Sequence, residues 1–259
     1  MKRIAMTLAG LAGLAAVAAA GPAAGADPLK VGFSAEPYPP FTYKSGDGSW
    51  TGFEVELANA VCDIMDRECK LAPTGWGGII PALNSGKIDF IMGSMSITDK
   101  RDKVIDFTDP YYYTRGSYVA ADDMAMETED DLEGRILGVQ GGTTHATYAR
   151  EVLSGMGVRL KMYDRQEQVN RDLQAGRIDV MLADQIAMSA FVKRDSAQGY
   201  EIKFQAPKHP AFGEGIGVGV REDDDDLTEA LNAAIDAVLQ NGTCAELSKK
   251  YFDTNICGA

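Results

Sequence analysis

The sequence predicts an α/β fold made of two lobes, each a mostly parallel sheet flanked by helices. Short apolar segments typical of buried strands alternate with segments of helical periodicity. The pattern Leu-x-x-Gly-Lys-Ile-Asp-x-Ile at residues 83–91 recurs ninety positions later as Leu-x-x-Gly-Arg-Ile-Asp-x-Met at 173–181. This distance is too long for a solenoid repeat and indicates two units built on one plan. We assign residues 27–112 plus 216–259 to one lobe and 113–215 to the other.

The length and composition suit such a fold. The chain has 259 residues, of which 45% are hydrophobic and 24% charged, as in globular proteins that bury a core. Its 25 basic and 38 acidic residues give a formal net charge of −13. Nucleic acids and anionic lipid surfaces require basic patches, so the acidic balance argues against both as partners.

Residues 1–26 have the pattern of a secretory signal peptide. Two positive charges precede an uncharged apolar run, and small residues precede a cut before Asp27. A cut after Ala20 is an alternative, and so is a permanent membrane anchor, which Pro22 and the Gly- and Ala-rich composition disfavour. Cleavage removes two basic residues and no acidic residue, which changes the formal net charge from −13 to −15. We expect the mature chain to be free in solution.

The first lobe begins with a strand, a rigid loop and a helix. Residues 29–33 are apolar and β-rich, and the three prolines that follow exclude both a helix and a central strand. Apolar residues then recur at positions 53, 57, 61 and 64, which predicts a helix with one face on a sheet. Residues 79–83 predict a short helix that ends at Asn-Ser-Gly, and 88–92 predict a compact strand.

The second half repeats this order. Residues 135–140 predict a strand that leads through Gly-Gly-Thr-Thr into a helix from about 144 to 153, and 178–182 predict another strand. Ligands of parallel sheets bind beyond the carboxyl ends of the strands. We therefore expect the functional loops to follow Phe33, Met92, Gln140 and Leu182.

The four cysteines suggest disulfides rather than a metal or catalytic site. An exported chain folds in an oxidising compartment, where cysteines pair. Three pairings are possible, and the local chain favours the sequential one, Cys62 with Cys69 and Cys244 with Cys257. A zinc cluster is disfavoured because the chain has only two histidines, and no Cys-His pair indicates a nucleophile. We expect no metal and no cofactor.

Two of the predicted loops carry groups suited to a carboxylate. Ser94, Ser96 and Arg101 follow the strand at 88–92, and a guanidinium can bind a carboxylate through two parallel hydrogen bonds. Thr143 and Thr144 follow the strand at 135–140, where backbone N–H groups at a helix start attract anions. Taken singly, the serines also suit turn capping and Arg101 suits a solvated surface position.

Three further residues are suited to bind the ammonium group and the side chain of an α-amino acid. Asp184 follows the strand at 178–182 and can accept hydrogen bonds from an ammonium group. Tyr38 and Trp76 offer flat apolar faces to an aliphatic or cationic side chain. Alternatively, Asp184 is an ordinary turn residue and Tyr38 a packing aromatic. Together with the carboxylate-binding set, these residues predict one cleft that holds an α-amino acid from both sides.

Several motifs resemble the family 3 solute-binding proteins, which are amino-acid-binding components of ABC importers. The resemblance extends from about residue 29 to the C terminus and is greatest with the histidine- and lysine/arginine/ornithine-binding branch. The motifs are Tyr-Pro-Pro-Phe at 38–41, Gly-Phe-Glu-Val-Glu-Leu-Ala at 52–58, Gly-Ile-Ile-Pro-Ala-Leu at 78–83, Ser-Met-Ser-Ile-Thr at 94–98, Arg101, and the segment from Asn-Gly-Thr at 241–243 to Lys-Lys-Tyr-Phe at 249–252.

The resemblance implies a type II periplasmic binding protein, with the ligand in the cleft between the lobes and closure about a hinge. It also implies a disulfide between Cys62 and Cys69, a periplasmic location and an inner-membrane ABC permease as partner. We expect a monomer that is not an enzyme. The ligand-binding positions of the family correspond here to Tyr38 for the side chain, Ser94, Ser96, Arg101 and Thr144 for the α-carboxylate, and Asp184 for the α-ammonium group.

Departures from the family pattern leave the identity of the ligand open. The branch that binds cationic ligands has an acidic residue three places before the stacking tyrosine, whereas here that place is Ala35, followed by Glu36. Gly93 stands where relatives carry a hydroxyl, and Glu214 is a candidate for a replacement negative charge. We expect a polar amino acid, cationic or opine-type. The alternative is a cyclohexadienyl (prephenate/arogenate) dehydratase-like enzyme on the same fold, which would use Glu36 or Glu214.

Overall fold

The computed structural model describes residues 27–258, so the predicted signal peptide lies outside the described residues. Residues 27–258 form two five-stranded sheets, a two-stranded ribbon and seven α-helices. None of these helices has the length and apolar character needed to cross a membrane.

Most of the secondary structure forms short elements, several of which are joined by 3-10 turns. The helices are α1 (Phe53–Ile64), α2 (Ile79–Asn84), α3 (Thr144–Glu151), α4 (Gln166–Gln174), α5 (Gln185–Val192), α6 (Asp225–Gln240) and α7 (Thr243–Phe252). The strands are β1 (Leu29–Ser34), β2 (Tyr43–Lys44), β3 (Trp50–Thr51), β4 (Cys69–Thr74), β5 (Phe90–Ile91), β6 (Asp106–Phe107), β7 (Gly116–Ala121), β8 (Ile136–Gln140), β9 (Arg159–Tyr163), β10 (Val180–Asp184), β11 (Tyr200–Gln205) and β12 (Gly219–Val220).

Both sheets mix parallel and antiparallel strands. The first sheet has the order β4-β1-β5-β12-β6, with β1 parallel to β4 and β5 and β12 antiparallel to β5 and β6. The second has the order β11-β7-β10-β8-β9, with β8 parallel to β9 and β10 and β7 antiparallel to β10 and β11. The predicted α/β fold is confirmed, and in each sheet the parallel pairings belong to the strands that alternate with helices.

The repeated sequence pattern occupies equivalent places in the two sheets. Each copy begins in the last turn of a helix, α2 or α4, and ends in the first strand residues after it, in β5 or β10. The glycine that ends each helix is left-handed, with φ of 71° at Gly86 and 65° at Gly176. The aspartate of each copy then accepts a backbone N–H from the neighbouring parallel strand, from Lys30 at 2.8 Å and from Ile136 at 2.7 Å.

The chain passes between the sheets along one antiparallel ladder. Tyr111 donates its backbone N–H to Ile216 at 2.9 Å, and Ile216 donates to Tyr112 at 2.9 Å. Thr108 continues the ladder by donating to Val218 at 3.0 Å. The strands of the second sheet therefore lie within an insertion between β6 and β12 of the first.

Helix α1 buries its predicted apolar face except at its last residue. Phe53, Leu57 and Val61 are buried, as the helical spacing predicts. Ile64, the fourth residue of the series, is 42% exposed because it is the last residue of the helix.

Two disulfides join consecutive cysteines. Cys62 in α1 is bonded to Cys69 at the start of β4, and Cys244 in α7 is bonded to Cys257 in the C-terminal tail. The Cα atoms of each pair are 6.1 Å apart. Each bridge closes a short loop within one region of the chain and lies away from the cleft described below.

Candidate ligand-binding site

A cleft is lined by loops from both sheets. It encloses about 880 Å³ of empty space, including the part open to solvent. The four loops predicted to be functional all contribute to it. The cleft is lined by every predicted ligand-binding residue, namely Tyr38, Trp76, Ser94, Ser96, Arg101, Thr143, Thr144 and Asp184.

Arg101 brings a positive charge into the cleft without a counterion. Its Nη1 donates to the carbonyl oxygen of Ser96 at 2.7 Å, and its Nη2 donates to that of Gly142 at 3.2 Å. Arg101 takes part in none of the ion pairs among residues 27–258. Burial lowers the pKa of Arg101 to about 10, so the guanidinium remains charged at neutral pH. A half-buried cation of this kind is stabilised by an anionic ligand.

Asp184 supplies the opposite charge from the second sheet. It is the last residue of β10 and the N-cap of α5, where Oδ1 accepts the backbone N–H groups of Ile186 at 2.7 Å and Ala187 at 3.1 Å. It is 4% exposed and forms no ion pair within the described part of the chain. Burial raises the pKa of Asp184 to about 6, although the two backbone hydrogen bonds act in the opposite direction. The carboxylate is therefore poised to receive a cation.

The hydroxyl of Ser94 is already engaged by neighbouring side chains. Its Oγ lies 3.1 Å from Oε1 of Glu54 and 2.8 Å from the hydroxyl of Tyr112. Its backbone N–H donates to the same Oε1 at 2.9 Å. Sequence reasoning missed Glu54, which is fully buried in α1. The available signal was its spacing, since Glu54 precedes Ala58 and Val61 by four and seven residues on a buried helix face.

The two threonines at the start of α3 differ in what they offer. Thr143 is the N-cap, and its Oγ1 accepts the backbone N–H of Ala146 at 3.1 Å and donates to Gln140 at 2.7 Å. Its hydroxyl is thus used in capping the helix. Thr144 is buried in the first turn and lines the cleft beside it.

The two predicted aromatic residues also have different surroundings. Tyr38 is half-buried and stacks on Phe41, with ring centroids 5.8 Å apart and planes inclined by 16°. Trp76 instead lies against the guanidinium of Arg101, 5.6 Å from its ring centroid, and donates Nε1–H to Gly142 at 3.2 Å. One face of Trp76 therefore stacks on a protein cation, a contact that the sequence did not predict.

The structure shows which of the acidic residues proposed to bind a cationic side chain lies in the cleft. Glu36 lines the cleft, accepts the hydroxyl of Ser34 at 2.9 Å and lies 3.5 Å from Nε of Arg165. Ala35 and Glu214 are exposed and do not line the cleft. Glu36 is therefore the acid that reaches the cleft from the loop after β1.

Gly93 has a packing reason for carrying no side chain. A Cβ atom at this position would lie 3.0 Å from Cβ of Phe33 and 3.2 Å from its Cα. A side chain at this position would therefore press on β1, which would have to shift by a few tenths of an ångström.

Several other residues line the cleft that sequence reasoning did not select, among them His145 and Gln166. Burial, and to a smaller extent the charge of Arg101, lowers the pKa of His145 to about 4, so its imidazole is neutral at neutral pH. Gln166 is the first residue of α4 and lines the cleft. The loop before it follows β9, a strand that the sequence analysis did not predict. Residues 27–258 contain no cluster of three side chains suited to hold a metal ion.

The sequence matches the family model for bacterial extracellular solute-binding proteins, family 3, over residues 29–254. The chain belongs to this family. The L-arginine-binding protein of Pseudomonas aeruginosa is 39% identical over 242 residues, which cover 92% of this chain and 93% of the relative. The lysine/arginine/ornithine-binding periplasmic protein of Escherichia coli is 38% identical over 224 residues, which cover 85% of this chain and 86% of the relative.

A solved structure agrees with the family assignment. It is a periplasmic binding protein of Salmonella typhimurium described as highly specific for arginine, with a TM-score of 0.81 and 30% identity over 88% of this chain and 100% of that chain. All three relatives are binding proteins, so this family 3 protein is a solute-binding protein and not an enzyme. The solute-binding prediction is confirmed, and the dehydratase alternative gains no support.

Proposed function

We propose that this protein is the periplasmic component of an ABC importer for a polar L-α-amino acid, with a cationic side chain as the preferred chemistry. One observation carries the proposal. Arg101, which is half-buried, and Asp184, which is buried, bring opposite and unpaired charges into one cleft from loops of different sheets. A zwitterion supplies the counterion that each group lacks. The arginine- and lysine/arginine/ornithine-binding relatives favour a basic amino acid.

The ligand is oriented by these two charges. Its carboxylate pairs with Arg101 and meets the start of α3 at Thr144, where the helix dipole favours an anion. Its ammonium group pairs with Asp184. The side chain then extends past Tyr38 toward Glu36, whose carboxylate suits a guanidinium or ammonium group. Opines also carry these groups and belong to the same proposed ligand class.

Binding is coupled to closure of two lobes, residues 27–112 plus 216–259 and residues 113–215. Two passages of the chain between the lobes form a hinge, and each lobe moves as a rigid body. Two contacts across the cleft support this assignment: Trp76 with Gly142 and Glu36 with Arg165. Closure without ligand buries Arg101 and Asp184 unpaired, so the amino acid shifts the equilibrium to the closed form. The permease then recognises that form and supplies ATP hydrolysis.

The mature protein is a periplasmic monomer that begins at Asp27. Intact mass of the exported protein tests the cut, since cleavage after Ala20 gives a chain six residues longer. Light scattering during gel filtration tests the monomer, and a dimer mass would contradict it.

Isothermal titration calorimetry of the exported protein tests the ligand class. The panel contains L-arginine, L-lysine, L-ornithine, L-histidine, octopine, L-glutamine and agmatine, which is arginine without its carboxylate. We expect a basic amino acid or octopine to bind more tightly than L-glutamine, and agmatine not to bind. Binding of agmatine alone would overturn the proposal. Formation of an aromatic product from prephenate or arogenate would reinstate the dehydratase alternative.

A further inference from the structure

Glu36 and Arg165 form an ion pair across the edge of the cleft. Oε1 of Glu36 lies 3.5 Å from Nε of Arg165. Glu36 follows β1 of the first sheet, and Arg165 lies between β9 of the second sheet and α4. Glu36 lines the cleft, whereas Arg165 does not, although its neighbour Gln166 does. With side-chain exposures of 17% and 58%, the acid lies inside the cleft and the guanidinium lies at its rim.

The carboxylate of Glu36 is available to a further donor. Its Oε2 accepts the hydroxyl of Ser34 at 2.9 Å, which is the one hydrogen bond that it accepts within residues 27–258. A carboxylate offers about four lone-pair sites on its two oxygens. Among the ion pairs of the described chain, the pair with Arg165 is also the only one that includes a residue lining the cleft.

The contact between Glu36 and Arg165 is weak enough for a ligand to replace it. The distance of 3.5 Å exceeds the range of about 2.7–3.2 Å that is usual for an N–H···O hydrogen bond. Ion pairs with an exposed member contribute little, because water and salt screen the charge. A ligand guanidinium can instead bind the carboxylate through two short parallel hydrogen bonds. A cationic ligand side chain is therefore the stronger partner for Glu36.

The backbone of Arg165 is fixed by Gln168, so the guanidinium stays close to the cleft after it loses Glu36. The N–H of Arg165 donates to Oε1 of Gln168 at 3.1 Å, and its carbonyl oxygen accepts the N–H of Gln168 at 3.1 Å. These two hydrogen bonds begin α4. A ligand cation at Glu36 thus lies near a second positive charge, which repels it.

We infer that Arg165 is a specificity-determining residue that competes with a cationic ligand side chain for Glu36. A ligand with a neutral side chain leaves the ion pair intact and gains its contribution to closure. A ligand with a cationic side chain replaces Arg165 and meets a like charge. Arg165 therefore reduces the preference for cationic side chains that Glu36 creates, and so widens the range of polar amino acids that bind. The inference rests on the proposed function, because the ligand side chain must reach Glu36.

Paired ligands that differ in side-chain charge test this role. The pairs are L-arginine with L-citrulline, L-lysine with L-2-aminoheptanoate, and L-ornithine with L-norleucine. Titration calorimetry is done with the pair whose cationic member binds the wild-type protein most tightly. We expect Arg165→Gln to raise the ratio of cationic to neutral association constants about threefold to tenfold, because the variant removes both the repulsion and the competing ion pair.

The affinity of the cationic ligand alone is a second readout, which also serves for octopine. It should rise in Arg165→Gln, because the ligand no longer meets a like charge at the rim. If Arg165 only joined the two walls of the cleft, the same variant would weaken binding. The direction of the change therefore separates a competitor from a simple contact between the walls.

Two further variants at this position form an ordered series. Arg165→Lys keeps the positive charge, so its affinity ratio should stay near that of the wild type. Arg165→Glu adds a second acid beside Glu36 and should raise the ratio above that of Arg165→Gln. The differences should shrink as the salt concentration rises from about 0.01 M to about 1 M, where the Debye length falls from about 30 Å to about 3 Å.

Arg171→Gln is the matched control on the same helix. Arg171 is exposed, lies outside the cleft and carries the same charge, so its replacement should leave the affinity ratio unchanged. Glu36→Gln should lower the ratio, in the opposite direction from Arg165→Gln. For the neutral ligand, the double variant should bind about as weakly as either single variant, because Glu36 and Arg165 share one contact.

The possible failures have different signatures. A wild-type protein that binds none of L-arginine, L-lysine, L-ornithine and octopine overturns the proposed cationic preference and this inference with it. If one of them binds, a ratio that is unchanged or lower in Arg165→Gln overturns the role of Arg165 alone, as does, for octopine, an affinity that does not rise. An equal rise in Arg171→Gln also overturns this role, since net charge would then explain the effect.

Discussion

Trp76 donates its indole N–H to the carbonyl oxygen of Gly142, 3.2 Å away on the other side of the cleft. Arg101 donates to the same oxygen at 3.2 Å and lies against the indole ring. Trp76 and Arg101 come from segments next to the first sheet, whereas Gly142 follows β8 of the second. A single carbonyl thus receives two donors from the opposite wall, one of which is the group proposed to bind the ligand carboxylate.

Trp76→Phe is expected to weaken ligand binding by up to about tenfold, because the closed form loses one hydrogen bond of about 1 kcal/mol while the aromatic face remains. Titration calorimetry measures the change. Trp50→Phe is the control, since Trp50 packs on Phe33 and does not line the cleft. In the Trp50→Phe protein, Trp76 is the single tryptophan, and its fluorescence should change on ligand binding. Unchanged fluorescence and affinity would contradict a role of Trp76 in closure.

Arg101→Ala is expected to lower the affinity for the amino acid by about 30-fold or more, since removal of one partner of a buried charge pair costs about 2 kcal/mol or more. Arg101→Lys keeps the charge but loses the planar fork, so its affinity should be intermediate. Calorimetry at fixed ionic strength gives both values. Arg159→Ala, which removes an exposed arginine outside the cleft, should bind as the wild type does. Equal affinity of Arg101→Ala and wild type would remove Arg101 from the site.

Ligand affinity is expected to fall at acidic pH because of Asp184. The pKa of Asp184 is about 6 in the free protein, so at acidic pH its carboxyl group must lose a proton before it pairs with an ammonium group. Affinity should be constant above about pH 7 and about tenfold weaker at pH 5. His145, with a pKa of about 4, stays neutral across this range.

Asp184→Asn is the test of this assignment. The amide still caps α5 but carries no charge, so affinity should be low and nearly independent of pH between 5 and 8. The stability of the ligand-free protein depends on pH in the opposite direction from the ligand affinity. The folded pKa of Asp184 is raised above its unfolded value, so its contribution destabilises the fold at neutral pH and is relieved as the pH falls through 6. A wild-type affinity that is flat from pH 8 to pH 5 would contradict the role of Asp184.

Glu36→Gln is expected to weaken binding of L-arginine roughly tenfold relative to L-glutamine, since only the former presents a cation to the carboxylate. Glu36 is 17% exposed at its side chain and lies inside the cleft. Glu214→Gln is the control, because Glu214 is exposed and outside the cleft. Competition titrations with both amino acids give the ratio. A larger change in Glu214→Gln than in Glu36→Gln would reassign the acid that determines selectivity.

Replacement of Cys244 and Cys257 by serine is expected to lower the free energy of unfolding by about 2–3 kcal/mol, from the loop-closure entropy of a 13-residue separation. Ligand affinity should be unchanged, since the bridge lies outside the cleft. Urea denaturation and calorimetry measure the two quantities. A loss of affinity without a loss of stability would show that the C-terminal tail contributes to binding.

The placement of Arg101 and Asp184 in one cleft could be predicted because both follow strands that alternate with helices. The carboxyl ends of such strands meet at one edge of their own sheet, so this rule assigns each residue to the ligand-binding edge of its sheet, whereas the two edges face each other through tertiary packing. The short antiparallel strands β6 and β12 could not be predicted in this way. They contain two residues each, too few to show a periodicity.

Glu54 and Trp76 show where local pattern stops being informative. The spacing of Glu54 to Ala58 and Val61 indicates a buried helix face, but its tyrosine partners lie 57 and 58 residues away in sequence and no local pattern identifies them. The contact of Trp76 with Gly142 likewise spans 66 residues and exists only when both walls are in place. The function of such side chains depends on tertiary contacts, which cannot be predicted from the sequence of one segment.

The ladder that joins Tyr112 to Ile216 brings the two ends of the inserted second sheet side by side. An exchange of that insert between homologous genes requires only two neighbouring junctions and leaves the first sheet intact. Because the insert carries Asp184 whereas Arg101 belongs to the remainder, recombination could renew one half of the recognition surface and retain the other. Diversification of nutrient preference within such proteins then needs no new scaffold.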